Sequence, residues 1–368
     1  MPPNFDRIRT ALLCQGEPDR VPLAEAGIDT GIKEAVLGRP IRTARDEVDF
    51  WAEAGYDFVP VHTGLRLMTG YGRAEDAEVT SERQRLLQAN RRVGRARYAV
   101  ENARELRRDW AEEGTGIITT RQDLERFPWP EPHEFDNAQA FHEIAACLRP
   151  GMKIIAYQGH IFTPVWEMMG FEAFCFALRE DPALVGALFE RVGTIQTAIF
   201  QRVIDFPAVA AVWWPDDIAY TGGLMLAPTV FRQYLFPWLR RMGDVCAARG
   251  LPWIFHSDGD LRQVIEDLIG CGFNALHPIE PKAMDIVALK RRYAGRLCLM
   301  GNLDLAYPLS LGTPDEVAAE VKRLLREVAP GGGYCLGSGN SVPEYVPVAN
   351  YQAMRKTCLE YGRYPIGV

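Results

Sequence analysis

The stretch Leu251–Glu280, LPWIFHSDGDLRQVIEDLIGCGFNALHPIE, puts His256, Asp258 and Asp260 just after one apolar run, and His277 and Glu280 just after a second. Imidazole and carboxylate together can hold a cation or move protons as acid and base. His256 and Asp258, two positions apart at a strand end, can turn both side chains to one ion. The competing reading is that Asp258 or Asp260 caps the following helix while His256 packs in the mouth. We take His256 and Asp258 as candidate metal ligands and leave Asp260 to capping.

Other apolar runs end in polar residues of the same kind. Asp216 and Asp217 follow the run Val209–Trp213, and such a pair can share a proton, bind a metal through one member or hold substrate. Adjacent side chains point in different directions, so one of the two is expected to be structural; the sequence does not say which. His62, His160, Asn302, Asp304, Ser338 and Asn340 lie at further run ends. The candidate catalytic residues are therefore His256, Asp217, Asp216 and His62. Trp214, Tyr220, His160, Asn302, Asp304, Ser338 and Asn340 are the candidate substrate contacts. Trp213, Trp214, Tyr220, Phe162, Trp166, Met168 and Met169 interleave with these positions. An aromatic, Met-rich mouth suits a flat or methylated organic substrate, although the same residues commonly build cores.

Short apolar runs alternating with helical periodicity position these residues. Runs near residues 23, 58, 155, 211, 254, 275, 298 and 335 give eight strands, the first at Val21–Ala26 with Glu25 and Asp29 near its exit. Helices are expected at 4–15, 43–54, 171–178, 182–204, 228–249, 261–269, 314–327 and 348–361. Eight parallel strands with outer helices predict an α/β fold, a (β/α)8 TIM barrel whose C-terminal strand tips share one cavity. The least regular part, about 70–135, is expected to be an excursion of hairpins over the barrel mouth within one domain spanning 1–368.

The chain has 368 residues, 48% of them hydrophobic, enough for a substantial core without crosslinks. A net charge of −7 and the lack of a dense Lys/Arg stripe argue against nucleic acid as a partner. The 8 cysteines are scattered with no CxxC pair and read as buried small hydrophobes of a reducing cytoplasm. The N-terminus lacks an uninterrupted apolar segment, so a cytoplasmic protein with no membrane contact is expected. Gly331–Gly333 precedes a strand and does not resemble a phosphate cradle.

The chain resembles the uroporphyrinogen decarboxylase superfamily, which includes corrinoid-dependent methyltransferases. The likeness rests on RIRTALLCQGEPDRVPL, WWPDDIAYTGGLMLAPTVFRQYLFPWLRRM, FHSDGDLRQVIEDLIGCGFNALHPIEP, LCLMGNLDLAYPLSLGTPDEV and GGGYCLGSGNSVPEYVPVANYQAM. It implies the same barrel. The decarboxylase branch carries a cationic N-terminal grip and a catalytic Asp where this chain has Glu25 and His62. The branch that methylates thiols binds zinc through a His-x-Cys pair and a distant Cys; His256 matches the His, Asp258 stands at the first Cys, and the second falls near Ser338. Glu280, Asp216 or Asp217 is then expected to complete a His/carboxylate shell. Such a shell leaves zinc a harder Lewis acid that favours oxygen. The resemblance thus implies methyl transfer between a small methoxylated, aromatic substrate and a corrinoid (cobalamin) on a partner protein, an O-demethylation, with homodimers common in the superfamily. A lyase using His62, His256 and the Asp pair, or a binding protein, are the alternatives.

Overall fold

The computed structural model describes residues 2–64, 94–95, 109–110 and 116–368. Seven parallel strands pair in chain order: β1 Phe58–Thr63, β2 Lys153–Gln158, β3 Val209–Pro215, β4 Trp253–His256, β5 Ala275–His277, β6 Cys298–Leu303 and β7 Tyr334–Ser338. Their residues are almost all buried on both faces, as in a sheet wrapped by helices. The expected first strand at Val21–Ala26 is only a bridge, Leu23 to Leu336, running parallel to β7. Pro22 explains the shortening: it has no N–H to donate, so the ladder reduces to Leu336 N–H onto the Pro22 carbonyl and Ala24 N–H onto the Leu336 carbonyl, each 2.9 Å. This segment lies beside β7, the place of the eighth stave in a (β/α)8 barrel.

Helices cover the outside. Thr43 and Thr313 open theirs with capping boxes closed by Asp46 and Glu316. The long helix Pro182–Ile204 is apolar enough and long enough to cross a membrane, but it lays Leu188, Val192, Ile199 and Phe200 into the core. Pro237 splits the helix expected over 228–249 into Pro228–Tyr234 and Phe236–Arg249. The helix expected over 261–269 contracts to Ile265–Gly270, and residues expected to be a loop after β2 form the helix Phe162–Met169. Most of the expected excursion at 70–135 lies outside the described residues; within it, Gly94–Arg95 pairs antiparallel with Asp109–Trp110, and Arg121–Arg126 is helical.

Candidate active site

Register places the two key histidines side by side, because β4 and β5 pair His256 with His277 at their last residues. The rings lie 5.0 Å apart at 29°, with Nδ1 facing Nδ1 at 2.8 Å. Both are buried. Burial lowers the pKa of His256, opposed by Asp217, and burial followed by the His256 charge holds His277 well below the ordinary imidazole value. His256 is thereby kept neutral, the form that binds metals.

On its other side, His256 Nε2 lies 3.9 Å from Asp217 Oδ1. The same carboxylate oxygen accepts the Asp258 N–H at 3.1 Å, and both Asp258 carboxylate oxygens accept from Asn340 Nδ2 at 2.9 and 2.8 Å. Asp217, His256 and Asp258 thus offer three donor atoms that all lie within 4.8 Å of one another. One imidazole and two carboxylates fit a divalent cation such as zinc, which accepts both ligand types. The turn that carries Asp258 depends on Gly259: at φ +87°, a Cβ there would meet the Tyr220 carbonyl oxygen at 2.5 Å.

The remaining expected residues divide by where their strands turn them. Asp216 is fully buried and faces away from this group. Its carboxylate accepts the N–H groups of Ile161 and Phe162 at 2.8 Å and the N–H and hydroxyl of Thr163 at 2.9 Å, anchoring the start of the helix Phe162–Met169. Burial pushes its pKa up to about 6 against the pull of those four donors. Trp214 is fully buried and meets Trp253 edge to face, and Trp253 in turn stacks on Phe273. Glu280 is not in the three-residue group; its Oε2 accepts the Gly259 N–H at 3.1 Å. Asn302 is buried and donates to the Ile279 carbonyl at 2.7 Å.

A cavity of about 350 Å3 opens beside Asp258 and Asn340 and runs past Glu280, Lys282 and Asp304 to Leu305, Leu311 and Tyr345. Asp304 both lines it and caps the segment Leu305–Ser310 through Ala306 N–H at 2.8 Å. Tyr220 is exposed on the short hairpin over the turn, its carbonyl taking the Asp260 N–H at 2.9 Å. His160 sits at φ 71° with its N–H on the Pro215 carbonyl at 2.8 Å. His62 is exposed at the tip of β1, its ring 4.5 Å from Tyr157, which in turn is 6.2 Å from His256. The sequence places His277 at a strand exit without giving it a role, and it does not single out Tyr157; parallel register, which sets Tyr157 across from His62, is the signal that finds the latter.

Ser338 is tied to Glu25, not to the cation group. Its N–H donates to Glu25 Oε1 at 2.6 Å and its Oγ lies 2.7 Å from Oε2. Full burial pushes Glu25 up to about 8, so it folds as the neutral acid. A folded pKa above the ordinary one means the folded chain binds the extra proton: this contribution to stability is complete below the ordinary glutamate range and is lost as pH rises towards about 8. Glu25→Gln keeps both Ser338 contacts without a charge. The variant is expected to gain on the native chain as pH rises through that interval, by up to about 1.4 kcal/mol per pH unit, then hold its lead. Urea denaturation at mildly acidic, neutral and mildly alkaline pH checks this.

The chain is similar to known proteins in both sequence and fold. The uroporphyrinogen decarboxylase (URO-D) family model matches residues 114–361, more than half the chain. Uroporphyrinogen decarboxylase of Anaeromyxobacter dehalogenans is 24% identical over 255 residues, covering 67% of this chain and 70% of that protein. The Coxiella burnetii enzyme of the same name is 24% identical over 181 residues, covering 48% and 47%. Among solved structures, a methyltransferase from Methanosarcina mazei superposes with a TM-score of 0.62 over 96% of this chain and 98% of its own at 19% identity, a likeness of fold. The chain belongs to the uroporphyrinogen decarboxylase family.

Proposed function

We propose that this protein is a methyltransferase that removes a methyl group from a small methoxylated, aromatic compound and passes it to a corrinoid carried by a partner protein. The observation that carries the reading is the group Asp217, His256 and Asp258 at the barrel mouth. These residues would hold a zinc ion, which supplies a Lewis acid for the ether oxygen. Asn340 fixes the Asp258 carboxylate, while the adjoining cavity takes the body of the substrate between Leu305, Leu311 and Tyr345, with Asp304 and Asn340 as polar contacts. The Tyr157 ring stands beside His256, and His62 stands beyond it against the same tyrosine. A corrinoid on the partner would supply the nucleophile for the methyl carbon, and the phenolate left behind would take a proton from water.

The decarboxylase reading carried by the relatives' names is less well supported. Substrates rich in carboxylates would meet Asp258, Glu280 and Asp304, with Lys282 the only basic side chain among the described residues that line the cavity. Like charges in a partly desolvated cavity repel. Incubating the zinc-loaded protein with a methoxylated aromatic and a reduced corrinoid protein is expected to shift the cobalt absorption and release the phenol. An unchanged spectrum across a panel of such ethers would sink the methyl-transfer reading.

A further inference from the structure

The Nδ1 atoms of His256 and His277 face each other at 2.8 Å in a closed part of the barrel, with space for one proton between them. Two neutral imidazoles satisfy that contact only if one donates and the other accepts. The choice decides what His256 shows on the side of Asp217 and Asp258. If His277 donates, His256 carries its proton on Nε2 and has nothing to give a cation. If His256 donates, Nε2 presents a lone pair.

We propose that His277 is a positioning residue: its Nδ1 accepts the Nδ1–H of His256 and so fixes the tautomer in which His256 Nε2 binds a divalent cation between Asp217 and Asp258. This rests on the metal reading above. The pairing is built into the backbone, since β4 and β5 set the two residues in register and Ser257 N–H donates to the His277 carbonyl at 3.0 Å. The Trp213 ring stands perpendicular to His277 at 4.6 Å and holds its plane. His277 Nε2 is buried with no hydrogen-bond partner, so nothing behind the ring forces its tautomer, and a proton kept there is unpaired, a cost that cation binding at His256 Nε2 has to offset. His277 is thus able to keep its proton on Nε2 and leave Nδ1 as an acceptor. Both rings stay neutral with one proton each.

Two variants separate positioning from packing. His277→Leu fills the space but removes the acceptor, leaving the Nδ1–H of a metal-bound His256 unpaired in a dry site. His277→Asn restores an acceptor oxygen near the same place. Zinc and cobalt(II) affinity, measured by chelator competition on protein whose fold is checked by circular dichroism, is expected to fall about 10–100-fold in His277→Leu and to recover in His277→Asn. In the zinc-loaded native protein, ring 15N spectra are expected to show His256 protonated at Nδ1 and His277 at Nε2. Native-like affinity in folded His277→Leu, or a proton on His277 Nδ1 in the zinc-loaded protein, overturns the proposal. Should His277→Leu not fold, the His277→Asn affinity and the native spectra still decide. A native chain that binds neither ion overturns the metal reading itself, whereas binding that His277→Leu leaves intact overturns only the role of His277.

Discussion

Replacing His256 by alanine is expected to abolish the binding of one divalent cation per chain and to lower methyl transfer by at least about 10²–10³-fold, the scale of losing a preorganised electrostatic group. The site has three donor residues, and His256 is the only one with a neutral ligand atom, so its loss leaves two carboxylates that cannot close a shell. Asp217→Asn is expected to act in the same direction, because it removes the carboxylate that faces His256 Nε2 at 3.9 Å. It also keeps an acceptor for the Asp258 N–H, so the turn survives. Metal content by mass spectrometry and the cobalt absorption change are the two readouts. A fully active, metal-free His256→Ala protein would remove the basis of the proposed chemistry.

Asp216→Asn provides the contrasting result. An amide can accept only through its one oxygen, and its NH2 would confront backbone N–H groups that now point at a carboxylate. The expected loss is about 1–3 kcal/mol of stability, with metal binding retained. The two neighbouring aspartates thus separate by experiment into an anchor and a ligand.

That division shows what the sequence could and could not carry. The barrel was legible because apolar runs and helical periodicity alternate from end to end, and because strand tips in such a fold share one face. His256 and Asp258 were legible as a pair because both lie on one turn. Asp216 and Asp217 look equivalent in one dimension. They separate only in three dimensions, where Asp216 takes the N–H groups of Ile161, Phe162 and Thr163 while Asp217 faces His256. Trp214 is of the same kind: its polar neighbours suggest the mouth, while its ring packs against Trp253. Glu280 and Ser338 were hard to place for another reason. Each found a nearer partner, the Gly259 amide and the Glu25 carboxyl, and long-range pairing of that kind leaves no local trace. His277 was visible at a strand exit, but its role was not, since that comes from the ring across the strand.

The largest stability effect is expected far from the mouth, at the opposite end of β1. Asp57, just before that strand, is buried between two guanidinium groups that are themselves buried, Arg7 and Arg20. Arg7 bonds to Asp57 Oδ1 and also to the half-exposed Asp19 at 2.8 Å, while Arg20 reaches Asp57 Oδ2 at 3.4 Å and the Gly55 carbonyl at 2.8 Å. Two cations and two carboxylates balance there, and the Asn4 N–H adds a further donor to Asp57 at 2.9 Å. Asp57→Asn keeps shape and the Asn4 contact but leaves a net positive charge in a dry site. Breaking one side of a buried ion pair costs about 3–5 kcal/mol, because the surviving charge has lost its compensation. Urea denaturation is expected to show a drop of that size for Asp57→Asn, and a much smaller one for Asp19→Asn, whose partner still holds Asp57 and whose own carboxylate is half in water. Equal losses for the two variants would mean that burial at Asp57 adds nothing beyond a surface pair.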